Sequence, residues 1–147
     1  MTSLLSAANI AIEGRLLPTN LEFAPGEMVA LVGPNGGGKT SLLRSLAQVD
    51  DCEGVVIVSS EELGLASPGR RARLVGFLPA SRELVWPLSV RDIITLGGAP
   101  DEAKIPQILE LLELQPLADR RVDHLSTGER TRALIGRILA ASPKVML

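Results

Sequence analysis

The chain has 147 residues, with 15 lysines and arginines against 17 aspartates and glutamates and a formal net charge of −2. That length allows one hydrophobic core, hence one domain or part of one. The charge leaves no basic field to hold nucleic acid or lipid headgroups unaided, and no run approaches the roughly 20 apolar residues that span a bilayer. Cys52 is the only cysteine and His124 the only histidine, so an internal disulfide and a Cys/His metal cluster are both excluded. Met1–Ser6 carries no Lys or Arg ahead of its apolar residues, so no secretory signal is expected and a reducing cytoplasm fits.

Short strands are predicted first. Asn9–Ile12 alternates, Leu21–Phe23 is a second candidate, and Pro25-Gly26 turns the chain into the apolar run Met28-Val29-Ala30-Leu31-Val32, which reads as a buried parallel strand. Next comes Gly33-Pro34-Asn35-Gly36-Gly37-Gly38-Lys39-Thr40, with the spacing Gly, any four residues, Gly-Lys-Ser/Thr. Glycines at this density let backbone N–H groups converge on an anion without side chains blocking the approach. Lys39 would reach the terminal phosphates of a nucleotide as a point charge, and the Thr40 hydroxyl is placed to ligate Mg²⁺. Ser41–Val49 lacks Gly and Pro and has Leu42, Leu43, Leu46 and Ala47 at helical spacing. The loop thus lies between a predicted strand and a helix start, where the helix dipole adds to anion binding. The alternative, an accidental glycine-rich turn, leaves that context unexplained.

Gly54 leads into the β-branched strand Val55–Val58; a polar stretch with Pro68-Gly69 follows, then a strand over Leu74–Leu78 stopped by Pro79. Ser89 can cap a helix over Val90–Leu96 that ends at Gly97-Gly98, and Pro106 can open another at its first position, with Ile108, Leu109, Leu111 and Leu112 on one face. A mostly helical insert of about residues 80–123 on a strand-rich core is the expected organisation. In Leu125-Ser126-Thr127-Gly128-Glu129-Arg130, Ser126 and Glu129 have capping-box spacing for a helix through Ala133, Leu134, Ile138 and Leu139 to about Ala141. Ser142-Pro143 stops it, and Val145-Met146-Leu147 opens a further apolar strand. A domain ending on the first residues of a buried strand is expected to be incomplete at its C-terminus.

The two motifs in this order resemble the nucleotide-binding subunit of an ATP-binding-cassette (ABC) transporter. Gly33–Thr40 matches that family's Walker A loop, and Leu125–Glu129 its signature Leu-Ser-Gly-Gly-Gln, with Thr127 for the first signature glycine and Glu129 for the glutamine. The resemblance implies an α/β fold: a P-loop NTPase core of ABC type with an N-terminal antiparallel β subdomain and a small helical insert, spanning residues 1–147 as a partial domain. It implies a nucleotide site of Gly33, Pro34, Asn35, Gly36, Gly37, Gly38, Lys39, Thr40 and Ser41 for ATP, with Mg²⁺ on Thr40. It also implies that Leu125, Ser126, Thr127, Gly128 and Glu129 act in trans on the γ-phosphate held by a second copy or a paralogue. Membrane permease subunits, and through them a substrate-binding protein, are the other implied partners, at the cytoplasmic face of the membrane and without nucleic acid.

The run Arg71–Pro79 and the run Trp86–Asp92 resemble importers of iron–siderophore, haem and cobalamin complexes. Arg70, Arg71 and Arg73 read equally as a solvated patch, and Trp86 as packing or as part of a surface gripped by a permease. Ala80 stands where the family has a glutamine that contacts metal and water. The adenine-stacking aromatic is missing, with Ile10 and Ile12 the nearest candidates. By the same resemblance the Walker B aspartate, the water-orienting glutamate and the switch histidine would follow Leu147, so residues 1–147 alone lack catalytic acids. His124 precedes the signature and is expected at the surface. The rivals are the ATPase of another ABC transporter class, a P-loop kinase or GTPase, a non-transport ABC protein, and a module that binds nucleotide without hydrolysis.

Overall fold

The computed structural model describes residues 3–81, 87–98 and 103–147. They group into two compact units, one running to Phe77 and including Lys144–Leu147, the other Leu78–Pro143.

The first unit is built on an antiparallel sheet. β1 (Leu5–Ile12) pairs with β2 (Leu16–Phe23) on one side and β3 (Glu53–Val58) on the other, and β4 (Glu61–Glu62) extends β3, giving the order β2-β1-β3-β4. A bulge interrupts β1, with register shifts between Ala7 and Ile10 against β2 and between Ala8 and Ala11 against β3. At the bulge Asn9 adopts φ 51° and donates its N–H to Asn20 Oδ1 at 2.8 Å. Opposite lies Gly54 at φ 86°, where a side chain would collide with the carbonyls of Ala8 and Asn9. The extra residue shifts the in–out phase and turns Ile10 into the core. There it joins Leu5, Ala7, Val56 and Val58, with Leu46 and Ala47 at the end of α1 (Lys39–Leu46) and with Leu63 and Leu74.

Three sequence expectations are corrected in this unit. The polar stretch around Pro68-Gly69 is a helix, α2 (Pro68–Leu74), capped by Ser67 Oγ, which accepts the Arg70 N–H, and opened by Pro68 at its first position. Leu74 ends that helix instead of starting a strand, which shrinks to β5 (Val75–Gly76), paired in parallel with β6 (Val145–Met146). Met28–Val32 is not a buried strand. It has no strand hydrogen bonding and is exposed, Met28 by 97% and Val32 by 84%. An apolar run of this kind needs a neighbouring ladder to satisfy its N–H and C=O groups, and no described strand supplies one.

The second unit is helical. α3 (Val90–Thr95) and α4 (Lys104–Leu111) pack with α5 (Thr127–Ala140), so the helical grouping runs past Asp123 to Pro143. Val90, Ile93 and Ile94 meet Ile105, Ile108 and Leu109, with Leu114, Val122, Leu125 and Ala133 closing the core. Ser89 caps α3 in a full capping box with Asp92, as its spacing predicts. α4 starts at Lys104, so Pro106 is its third residue and not its first; the first-turn N–H groups have no intrahelical partner, and proline is harmless there. Small residues let α3 approach α5. A Cβ on Gly136 would stand 3.0 Å from Ile94, and one on Gly97 would run into the Arg137 carbonyl.

Candidate functional site

Residues 33–38 form an open loop that feeds directly into α1. Gly36 and Gly38 hold φ of 81° and 79°, left-handed values that side-chain-bearing residues rarely adopt, and the Gly37 N–H closes a turn on the Pro34 carbonyl at 3.1 Å. α1 begins at Lys39 with no side-chain cap and no acidic residue in its first turn. Its leading N–H groups are therefore uncancelled, and they carry the positive end of the helix dipole. Lys39 Nζ folds back to donate to the carbonyls of Gly33, at 2.9 Å, and Pro34, at 2.7 Å. A cavity of about 340 Å³ opens over this ring, lined by Gly14, Arg15 and Asn35–Ser41.

The predicted loop residues Asn35–Ser41 thus share one cavity, whereas Gly33 and Pro34 form its lysine-holding edge. Among the described residues, no acidic one lines the cavity. Among the described lining residues, Thr40, Ser41 and Asn35 carry side-chain oxygens that could meet a cation, together with oxygens that a bound polyphosphate would bring. Neither isoleucine proposed to face an aromatic base lines the cavity. Ile10 is fully buried in the sheet core, which corrects that expectation, and Ile12 is half-buried at the end of β1. Their place on the rim is taken by Gly14 and Arg15 of the β1–β2 turn, which sequence spacing does not single out because the contact is purely tertiary.

In the second unit Ser126 sits at the N-terminus of α5. Its Oγ accepts the Glu129 N–H at 3.3 Å and donates to Glu129 Oε2 at 2.8 Å, while Oε2 also accepts the Ser126 N–H at 2.8 Å. These bonds, the backbone one foremost, hold the Glu129 carboxyl below the usual carboxylate range. Leu125 is buried under the helix start, whereas Ser126, Thr127 and Gly128 are exposed. An added Cβ on Gly128 would meet nothing within 4 Å. The tip therefore presents a hydroxyl and unobstructed amides to solvent, with one carboxylate among them.

Other singled-out residues lie apart from these features. His124 is exposed, its Nε2 3.9 Å from Asp123 Oδ1. Arg70 pairs with Glu61, Arg71 donates to the Gln48 carbonyl, and Arg73 is exposed, so this cluster is largely engaged within its own unit. Ala80 is exposed, and Trp86 lies outside the described residues. No described helix is long and apolar enough to cross a membrane.

Comparison with known proteins bears on the whole chain. The profile of the family described as ABC transporter matches residues 16–147. The chain is 37% identical over 139 residues to the sulfate/thiosulfate import ATP-binding protein CysA of Burkholderia mallei, an alignment covering 87% of this chain and 39% of that protein. It is 32% identical over 139 residues to the hemin import ATP-binding protein HmuV of Chelativorans sp., covering 89% of this chain and 54% of that protein. The chain therefore spans about half the length, or less, of these curated relatives. In fold it is similar to the ATP-binding cassette MJ0796, solved as a dimer in a post-hydrolysis state bound to ADP and Pi, with a TM-score of 0.77, 23% identity, and coverage of 97% of this chain and 72% of that one.

Proposed function

The chain belongs to the ABC transporter family, and from that premise we propose that it is the nucleotide-gripping part of an importer's ATPase subunit. The observation that carries this reading is the acid-free, glycine-lined cavity over a bare helix start, with a lysine already poised at its edge. In the proposed mechanism the amides of residues 36–41 and Lys39 hold the β- and γ-phosphates of ATP. Thr40 holds Mg²⁺, which when bound neutralises phosphate charge.

Ser126 and Gly128 act on the γ-phosphate of a second copy or a paralogue, so that ATP closes a head-to-tail pair. Closure is passed to membrane permease subunits, which keep this protein at the cytoplasmic face. A metal chelate of haem type is the finer proposal for cargo, supported by the hemin import relative; the sulfate/thiosulfate relative marks the competing class. Since no carboxylate of the described residues lines the cavity, residues 1–147 by themselves are proposed to bind ATP without releasing phosphate.

Sedimentation with and without ATP and Mg²⁺ tests the trans arrangement. ATP is expected to shift the chain toward dimer, with negligible phosphate release, and Ser126→Asp to abolish the shift while keeping nucleotide binding. Aspartate still caps the helix, so folding is preserved, but its charge repels phosphate. Dimerisation by ATP that is untouched in Ser126→Asp contradicts the proposal.

A further inference from the structure

The cavity has a second wall that the loop motif does not account for. The β1–β2 turn is closed by the Arg15 N–H donating to the Ile12 carbonyl at 3.0 Å, with Gly14 at φ 70°. It abuts the phosphate loop directly: a Cβ on Gly38 would lie 3.1 Å from the Arg15 carbonyl oxygen and 3.7 Å from the Leu16 side chain. The turn is therefore seated against the last glycine of the loop, and its residues Gly14 and Arg15 face the same space as Asn35–Ser41.

Among the described residues, the charged ones that line this space are Lys39 and Arg15, both cationic. Lys39 is held by two carbonyls of its own loop. The Arg15 guanidinium is exposed and makes no hydrogen bond or ion pair among the described residues. Asp50 is the carboxylate whose titration responds to it, but both Asp50 oxygens are already taken by the Arg44 fork, at 2.7 and 2.6 Å. An unpaired guanidinium on the rim of an acid-free cavity has its five donors free for an anion, and its planar fork matches phosphate oxygens.

We propose that Arg15 is a further ligand of the nucleotide, its guanidinium pairing with the polyphosphate from the wall facing the loop. This rests on the assignment of the cavity as the nucleotide site and adds to it a contact from outside the loop motif. The site then grips phosphate from two elements, the loop with its helix and the β1–β2 turn, so binding nucleotide braces the turn against α1.

Calorimetric titration of ATP and of inorganic tripolyphosphate into wild type, Arg15→Ala, Arg15→Lys and Lys39→Ala tests this. Arg15→Ala is expected to weaken both ligands by the same factor, about tenfold, the scale of one charge-assisted hydrogen bond at an open site. Arg15→Lys should recover part of the loss for both. The Arg15 side chain has no partner to lose, so melting temperature should not move, which keeps the measurement free of folding effects. Unchanged affinities in Arg15→Ala overturn the proposal, as does a loss for ATP with none for tripolyphosphate, which would put the guanidinium on base or ribose. If Lys39→Ala has no effect on either ligand, or wild type binds neither, the assignment of the cavity itself fails and Arg15 with it. A loss in Lys39→Ala beside no loss in Arg15→Ala overturns only the arginine contact.

Discussion

Lys39→Ala is expected to weaken ATP binding by about 100-fold while leaving the fold intact. Lys39 Nζ is a cation held at the loop edge, fixed by the Gly33 and Pro34 carbonyls. A charge-assisted contact to phosphate contributes about 1.5–3 kcal/mol each, and one ammonium can bridge two phosphates. Both carbonyls are exposed to solvent, so removing the lysine leaves no buried acceptor unpaired, and stability should change by less than about 0.5 kcal/mol. Lys39→Arg should not restore affinity, because a planar fork does not fit a niche shaped for a point charge. Affinity within a factor of about three of wild type in Lys39→Ala, measured calorimetrically, would remove the lysine from the site.

The largest stability effect is expected at Gly97, outside any motif. This glycine follows α3, and a Cβ there would overlap the Arg137 carbonyl of α5 and stand 3.0 Å from Ala140 Cβ. Its φ is not positive, so the requirement for glycine is steric, and the obstacle is backbone, which cannot rotate away. Gly97→Ala should cost about 3 kcal/mol, at the upper end for overpacking, by prising α3 from α5. Gly128→Ala, in the first turn of α5, meets open space and should be neutral or slightly stabilising, by up to about 1 kcal/mol from helix propensity. Under the proposed function that variant still loses ATP-driven dimerisation, because the new methyl group covers the exposed amide. Denaturant melts of the two variants separate a packing glycine from a functional one; equal stabilities would contradict this account of α3 and α5.

Much of the site was legible in the sequence because its determinants are local. The loop glycines, the caps Ser89 and Ser126, and the β-branched run of β3 each act within a few residues of themselves. The failures are non-local or depend on context. Ile10, a candidate for the base by resemblance alone, is turned into the core by the bulge at Asn9, which no local pattern announces. The residues Met28–Val32 have strand propensity but no described neighbour to pair with, and propensity without a ladder does not make a strand. α2 was missed although Ser67 and Pro68 are ordinary start signals, since the glycine and three arginines around them masked its short apolar face. Arg15 could not be found from spacing at all, because only folding brings the β1–β2 turn to the rim of the loop.

The family match over residues 16–147 and the likeness in fold to a solved ATP-binding cassette agree with the α/β, P-loop NTPase expectation. The relatives' cargoes, sulfate/thiosulfate in one case and hemin in another, do not single out metal chelates.

The whole reading stands on amides at the start of α1 taking up a polyphosphate. Hydrogen–deuterium exchange resolved by residue, with and without saturating ADP, measures that directly. Exchange at Gly36–Ser41 should slow by about tenfold or more on binding, with smaller changes across β3. Bound nucleotide that leaves the exchange of those six amides unaltered would contradict it.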